Sequence, residues 1–315
     1  MASIYNGIGA CIGFGEETST NWGTAVSRTH WRPLISSSLT RTIEKVPRPT
    51  LQIGTAGAMR RKHYTSVDSA GGSFQIEGSY SSIGLLLKHL MGTVTRTGSD
   101  PYTHAYTIAN DVPEGLTIEN TRGTGTSEVF EGCRLNSGTI ACSSGGVLTC
   151  EFDVIAETSA TRGTSGSPTF GTDTPILHSH AGQMAFHGSN YDLIDMSLTV
   201  NNALATRQFL GSAVTAQPKR SDFQSVELSC TVEVDDVLYA DLLSDFEGDV
   251  SITFTNGAVS FTVEVQNAYL SAVSDPVSDA GIIKQSLSFV GQSDGTNEGC
   301  KLSVVNGFTD SISNG

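Results

Sequence analysis

SSIGLLLKHLMG, residues 81–92, and DDVLYADLLSDFEG, residues 235–248, are the two stretches on which the fold turns. In the first, Ile83, Leu86, Leu87 and Leu90 stand at i, i+3, i+4 and i+7, with Ser81 and Ser82 as candidate caps and Gly92 as a stop. Tyr239, Leu242, Leu243 and Phe246 repeat that spacing between Asp235-Asp236 and Gly248. Both read as amphipathic helices of about three turns. One shift of 156 residues superposes them, Gly92 on Gly248 included, and carries the preceding alternation Phe74, Ile76, Gly78 onto Cys230, Val232, Val234. Agreement of strand, cap, stripe and terminal glycine marks an internal duplication.

A second match follows at a shift of 135, with Leu135 on Leu270, Gly146 on Gly281, Val147-Leu148 on Ile282-Ile283, Phe152 on Leu287 and Val154 on Phe289. The first copy therefore carries 21 extra residues (156 − 135), and the polar, turn-rich stretch Thr93 to Pro113 is the expected place for them. Residues 1–160 make a first domain with a long connection at about 41–72, residues 161–175 a linker, 176–292 a second domain with a shorter connection at about 207–222, and 293–315 a polar tail around the apolar run Leu302 to Val305. The longer connection exceeds an ordinary loop, and such loops are usually interaction elements.

Outside the two helices the chain reads as β. Hydrophobic content is 38% and charged content only 16%, with 34 Gly, so the surface leans on Ser, Thr, Asn and turns rather than on long charged helices. The formal net charge of −14 argues against stable nucleic-acid binding, which needs clustered cations to displace counterions. No stretch has the form of a signal peptide and no apolar run approaches ~18 residues, so neither secretion nor a membrane anchor is expected. Cys133, Cys142, Cys150 and Cys230 lie in strand-like segments without metal or redox spacing and read as reduced core residues.

Several segments, in order, resemble the two-copy tail tube proteins of phages with long non-contractile tails: GIGACIGFGEE, EKVPRPTL, IGLLLKHLMG, FEGCRLNS, GGVLTCEFDVIAETS, NNALATRQFLG, PKRSDF and AYLSAVSDPVSDAGIIKQSLSF. None is a chemical motif; the specificity lies in their order and in coverage from about Ile8 to Val305. The resemblance implies a mainly β fold, two tandem β-sandwich or barrel domains each flanked by one short helix. It implies a structural subunit, not an enzyme, located in the virion tail and assembled in the host cytoplasm. Its implied partners are itself, as trimeric pseudo-hexameric rings (or hexamers) stacked into a tube, together with a tape-measure protein and the tail terminator and tail-tip proteins. Double-stranded DNA would cross the lumen without stable binding, and no cofactor is implied.

Charge placement fits stacking. Between Arg41 and Lys62 there are six bases (Arg41, Lys45, Arg48, Arg60, Arg61, Lys62) and one acid, whereas Asp222 to Cys300 holds fourteen acids and one base. A basic loop seeking the acidic face of the next ring would give orientation and register; Arg207, Lys219 and Arg220 on the second connection would act similarly. Chemistry is otherwise sparse. P-loop, nucleophile-elbow and HExxH motifs are absent, and the glycines 7, 9, 13 and 15 read as an N-terminal arm or turn. His178 and His180 on one strand face, with His187, fall short of the three or four ligands that zinc needs. Asp235-Asp236 reads as a cap, and Asp275-Pro276 with Asp279 as turn formers. No catalytic, cofactor or metal residue is assigned. The competing readings are a tail-tip or baseplate ring protein of the same fold and a β-rich ligand-binding module, for which Trp22 and Trp31 offer little stacking surface.

Overall fold

In the computed structural model the described residues are 7–18, 22–47, 63–111, 114–123, 126–159, 166–171, 173–233, 236–244, 246–274, 282–296 and 298–309. They form β1 (Cys11–Glu16), β2 (His30–Pro33), β3 (Ser36–Ser37), β4 (Thr40–Pro47), β5 (His63–Glu77), α1 (Gly84–Met91), β6 (Gly92–Thr97), β7 (Tyr102–Ile108), β8 (Leu116–Arg122), β9 (Thr126–Ser143), β10 (Thr149–Ala156) and β11 (Thr158–Ser159). Then come β12 (Met184–Phe186), β13 (Ser189–Tyr191), β14 (Leu193–Asn201), β15 (Leu204–Arg207), β16 (Ala216–Arg220), β17 (Ser225–Glu233), α2 (Asp236–Leu243), β18 (Glu247–Asn256), β19 (Val259–Ser274), β20 (Lys284–Gly291) and β21 (Cys300–Asn306). The protein is mainly β. Every ladder between these strands is antiparallel.

A continuous sheet runs through the middle in the order β5–β10–β9–β14–β17–β20–β19. Its two ends repeat one another in register. Ile76 faces Cys150 in one and Val232 faces Gln285 in the other, which are the same pair under shifts of 156 and 135. The bulge between β10 and β9, past Asp153 and Ser137, recurs between β20 and β19, past Ser288 and Ala272. Side chains alternate along each strand, and the inward set forms one core: Phe74, Phe152, Ile140, Leu198, Leu228 and Phe289 are all at most 1% exposed. Phe14, Phe74 and Phe152 stack along it at centroid spacings of 5.4 Å.

Four features depart from the sequence reading. The stretch Thr93 to Pro113 is not the insertion: β6 and β7 form a hairpin beneath α1, as β18 and the first half of β19 do after α2. The first copy's surplus is β8 with the first half of β9, where Gly132 turns the strand at φ +61° and leads it away from the central sheet. Helix α1 spans 8 residues, begins after Ile83 without a side-chain cap, and ends at Gly92 (φ 105°); Ser81 and Ser82 turn their hydroxyls to Asp173 instead. Helix α2 is equally short, Leu238 and Asp241 are buried on it and Leu243 is 70% exposed.

In the glycine-rich opening Gly7 and Gly9 form a turn, with Gly9 at φ 83°, whereas Gly13 and Gly15 belong to a core strand and not to an arm. β1 lies between β2 and β8 with Ile12 and Phe14 buried, and Gly13 is there because a Cβ would sit 2.8 Å from the Trp31 ring. The polar tail likewise supplies β21, which fills the gap between β19 and β7 and so ties the second copy to the first. Its alternation buries Cys300, Leu302 and Val304, and this spacing of two is what seats it.

Candidate functional site

The central sheet has one face in the core and one that nothing among the described residues covers. On the uncovered face, cross-strand rows read Gln75–Glu151–Thr139–Thr199–Glu227–Val290 and Glu77–Thr149–Ala141–Ser197–Ser229–Ser288, since residues opposite in an antiparallel ladder share a face. Asp153 and Ser137, then Ser143, Asp195, Thr231 and Ser286, continue it on either side. Among the described residues the face carries Glu77, Glu151, Asp153, Asp195, Glu227 and Glu233 against the single base Lys284. None of these carboxylates has an ion-pair partner among the described residues. Asp153 accepts a hydrogen bond from Asn136 at 3.0 Å and Glu227 one from Ser288 at 3.0 Å, which fixes both without neutralising them. Small hydroxyls and fixed negative charge make a smooth surface that repels polyanions.

The two copies meet at the centre of this face, where β14 pairs β9 from Asp195↔Ser143 to Asn201↔Ser137. Thr139 and Thr199 place their hydroxyls 3.4 Å apart across the joint. Just beyond it Asn202, 1% exposed, donates through Nδ2 to the carbonyls of Leu90 and Leu135 at 3.0 Å each, binding α1, β9 and the end of β14 together. The sequence matches the protein family described as phage tail tube protein over residues 7–291.

The chain belongs to the phage tail tube protein family. No curated protein matches it. As a tail tube protein it is a structural subunit of the phage tail, and no helix among the described residues is long and apolar enough to cross a membrane.

The described ones among the basic residues singled out in this tail tube chain lie on two neighbouring arms. Arg41, on β4, forks onto Asp68 of β5 at 2.7 and 2.5 Å and also donates to the Ser159 carbonyl. The guanidinium hydrogen bonds hold the Asp68 carboxyl below its ordinary value, so this charge is compensated within the arm. Lys45 is exposed on β4. Arg48, Arg60, Arg61 and Lys62 lie outside the described residues. The second arm, β15–β16, runs beside the first, its Ala213 carbonyl accepting the Asp68 N–H at 2.8 Å. Arg207 donates to the Gln217 carbonyl and lies over the Phe209 ring at 5.4 Å. Arg220 donates to the carbonyls of Ala109, Asn110 and Asn202, whereas Lys219 stays exposed. Arg41, Arg207 and Arg220 thus brace the arms, and Lys45 and Lys219 are their solvent-facing cations among the described residues.

Two anchoring arginines lay outside the sequence reading. Arg134, on β9, donates to the Pro218 carbonyl and seats the second arm; burial first, and the charge of Arg207 second, lower its pKa. Arg32 pairs with Asp173, which also accepts from Ser81 and Ser82, so the run leading into the second copy is clasped to the first. An arginine at a strand centre was the available signal in both cases. His178 and His180 sit on a 3₁₀ turn, not a strand: His180 meets Tyr80 Oη at 3.0 Å, His178 the Gly146 carbonyl, and His187 stacks on Phe246 beside Asp241. Among the described residues no group of three or more His, Cys, Asp or Glu is placed to hold a metal. The six cysteines are free and buried, and burial pushes the thiols of Cys133, Cys150, Cys230 and Cys300 up.

Proposed function

We propose that subunits close into rings whose inner wall is the uncovered face of the central sheet, and that the rings stack into a channel through which the genome leaves the particle. The observation that carries this reading is the wall itself: one sheet crosses both copies without a break and turns six carboxylates and a field of Ser and Thr to the outside. DNA sliding past such a surface finds few cations with which to exchange counterions, so it passes without being held.

The repeat sets the symmetry we favour. Each copy contributes four wall strands, β3–β4 with β5, β10 and β9 in one and β14, β17, β20 and β19 in the other. Three chains give about 24 strands, and at roughly 4.8 Å per strand with ordinary tilt the backbone circle is about 45–50 Å across, wide enough for a duplex. Stacking runs head to tail through the basic first arm, with Arg48, Arg60, Arg61 and Lys62 joining Lys45 against the acidic face of the next ring. The tape-measure protein, terminator and tip proteins are the remaining partners of this reading, with assembly in the host cytoplasm.

Negative-stain electron microscopy with image averaging, beside mass measurement in solution, tests it. Hollow stacks built on threefold rings support both the function and the meaning of the duplication. Sixfold rings keep the function and overturn the trimer. Rings that never stack move the chain to a tail-tip role.

A further inference from the structure

We propose that the contact between neighbouring subunits is a copy of the joint inside the chain: the free edge of β19 at Ala272–Ser274 pairs with the free edge of β4 at Thr40–Thr42 of a second copy of this chain. The inference rests on the ring reading and supplies the register that the reading lacks.

The strand β14 has a counterpart in the first copy. Ser36 faces Gln75 as Asp195 faces Thr231, which places β3–β4 on β14 at a shift of 159. The residues agree: LISSSLT at 34–40 lies on LIDMSLT at 193–199, with Leu, Ile, Ser, Leu and Thr shared, and Leu39 is buried as Leu198 is. Inside the chain the second edge of β14 is taken by β9. The second edge of β3–β4 pairs with no strand among the described residues. Side chains of Asn120 and Arg122 reach it at Ser37 and Leu39, so its open length starts at Thr40.

At the far end, β9 maps onto β19 at a shift of 135, so Ser137–Thr139, which β14 covers, become Ala272–Ser274, which among the described residues pair only with β20. Two edges with matching ancestry therefore lie open at opposite ends of one sheet. Transferring the internal register across both shifts sets Ala272 opposite Thr42, Val273 opposite Arg41 and Ser274 opposite Thr40. Exposed apolar groups mark the same two ends. Ile282 and Ile283 are 71% and 38% exposed, although Leu148, the counterpart of Ile283, is 0% exposed under the run that leads into the second copy. Ile43, beside the other edge, is 45% exposed. Open apolar-flanked edges invite pairing with another chain, and a head-to-tail contact between two different edges closes a ring when the rotation allows.

The internal counterpart of Ser274 and Thr40 is the Thr139–Thr199 pair with its touching hydroxyls, so cysteines at these positions fall within disulfide reach. The test uses the full-length chain carrying T40C and S274C, oxidised and run on a denaturing gel while assembly is followed by microscopy and mass. The expected result is a ladder of intermolecular cross-links ending at the ring size, with none in the off-register pair T42C and S274C. Mixing the T40C and S274C single variants is expected to give cross-links that neither gives alone, which guards against misfolding of the double variant. Rings without the T40C–S274C bond, or with the off-register bond as strong, overturn the joint and leave the tube reading standing. A chain that neither assembles nor cross-links at high concentration overturns both.

Discussion

Asn202 shows how much a single buried amide does in this chain. Replacing it by Ala strips two buried carbonyls of their donor, Leu90 at the end of the helix and Leu135 on β9. Each orphaned group costs about 1–3 kcal/mol, so N202A is expected to lower unfolding stability by roughly 2–6 kcal/mol in a urea titration, with the m-value unchanged. Glu16 gives a second test at this scale. Burial opposes its ionisation, but hydrogen bonds from His89 and Lys88 outweigh burial and hold the carboxyl at about 2 against an ordinary 4.5. A depressed folded pKa stabilises above the unfolded value and loses that contribution as pH falls through the folded one. The stability gap between the native chain and E16Q is therefore expected to be full at pH 6 and to shrink between pH 4.5 and 2. A gap constant with pH would show that Glu16 acts through packing alone.

At the scale of elements, the duplication was legible because strand register is conserved more strictly than residue identity. Ile76 and Val232 share no side chain, yet both sit where a slip of one residue would turn a whole strand inside out. What escaped reading has physical causes. The insertion in the first copy was hidden because a hairpin tip and an insertion are both turn-rich, while β8 and β9 look like any other strands. LISSSLT and LIDMSLT were missed because the connections beyond them differ by three residues, 159 against 156, and break a single alignment. The acidic wall was invisible: period-two alternation separates two faces but does not say which one water sees. The strand β21 looked like a tail because polar Ser303 and Lys301 interrupt its apolar run, although alternation is what a half-buried strand requires. L302A is expected to cost about 2–5 kcal/mol by leaving a cavity between β19 and β7, measured by the same titration; a cost under about 1 kcal/mol would mean that the strand is ornamental.

For the whole molecule, two substitutions sets separate the wall from the arms. E151K, D195K and E227K together replace three wall carboxylates with cations. Rings should still form, and duplex DNA should now be retained by them, with retention falling steeply as salt rises; retention that ignores salt would point to unfolding rather than to the wall. R60E, R61E and K62E together should leave single rings intact and stop stacking, so tubes of ordinary length from this variant would remove the first arm from the assembly mechanism. Both outcomes are read on the same microscope grids.

The place of β21 also sets an order of events during synthesis. His104 and Asn306 are hydrogen-bonded across 202 residues of chain, and Asn306 reaches on to the Tyr80 carbonyl. The first copy is thus translated with one seam left open, and a nascent chain with an open strand edge is prone to pair with the wrong neighbour. Because contacts so distant in sequence form slowly, the docking of β21 between β19 and β7 is expected to be a late step of folding, after the strands that flank it have formed.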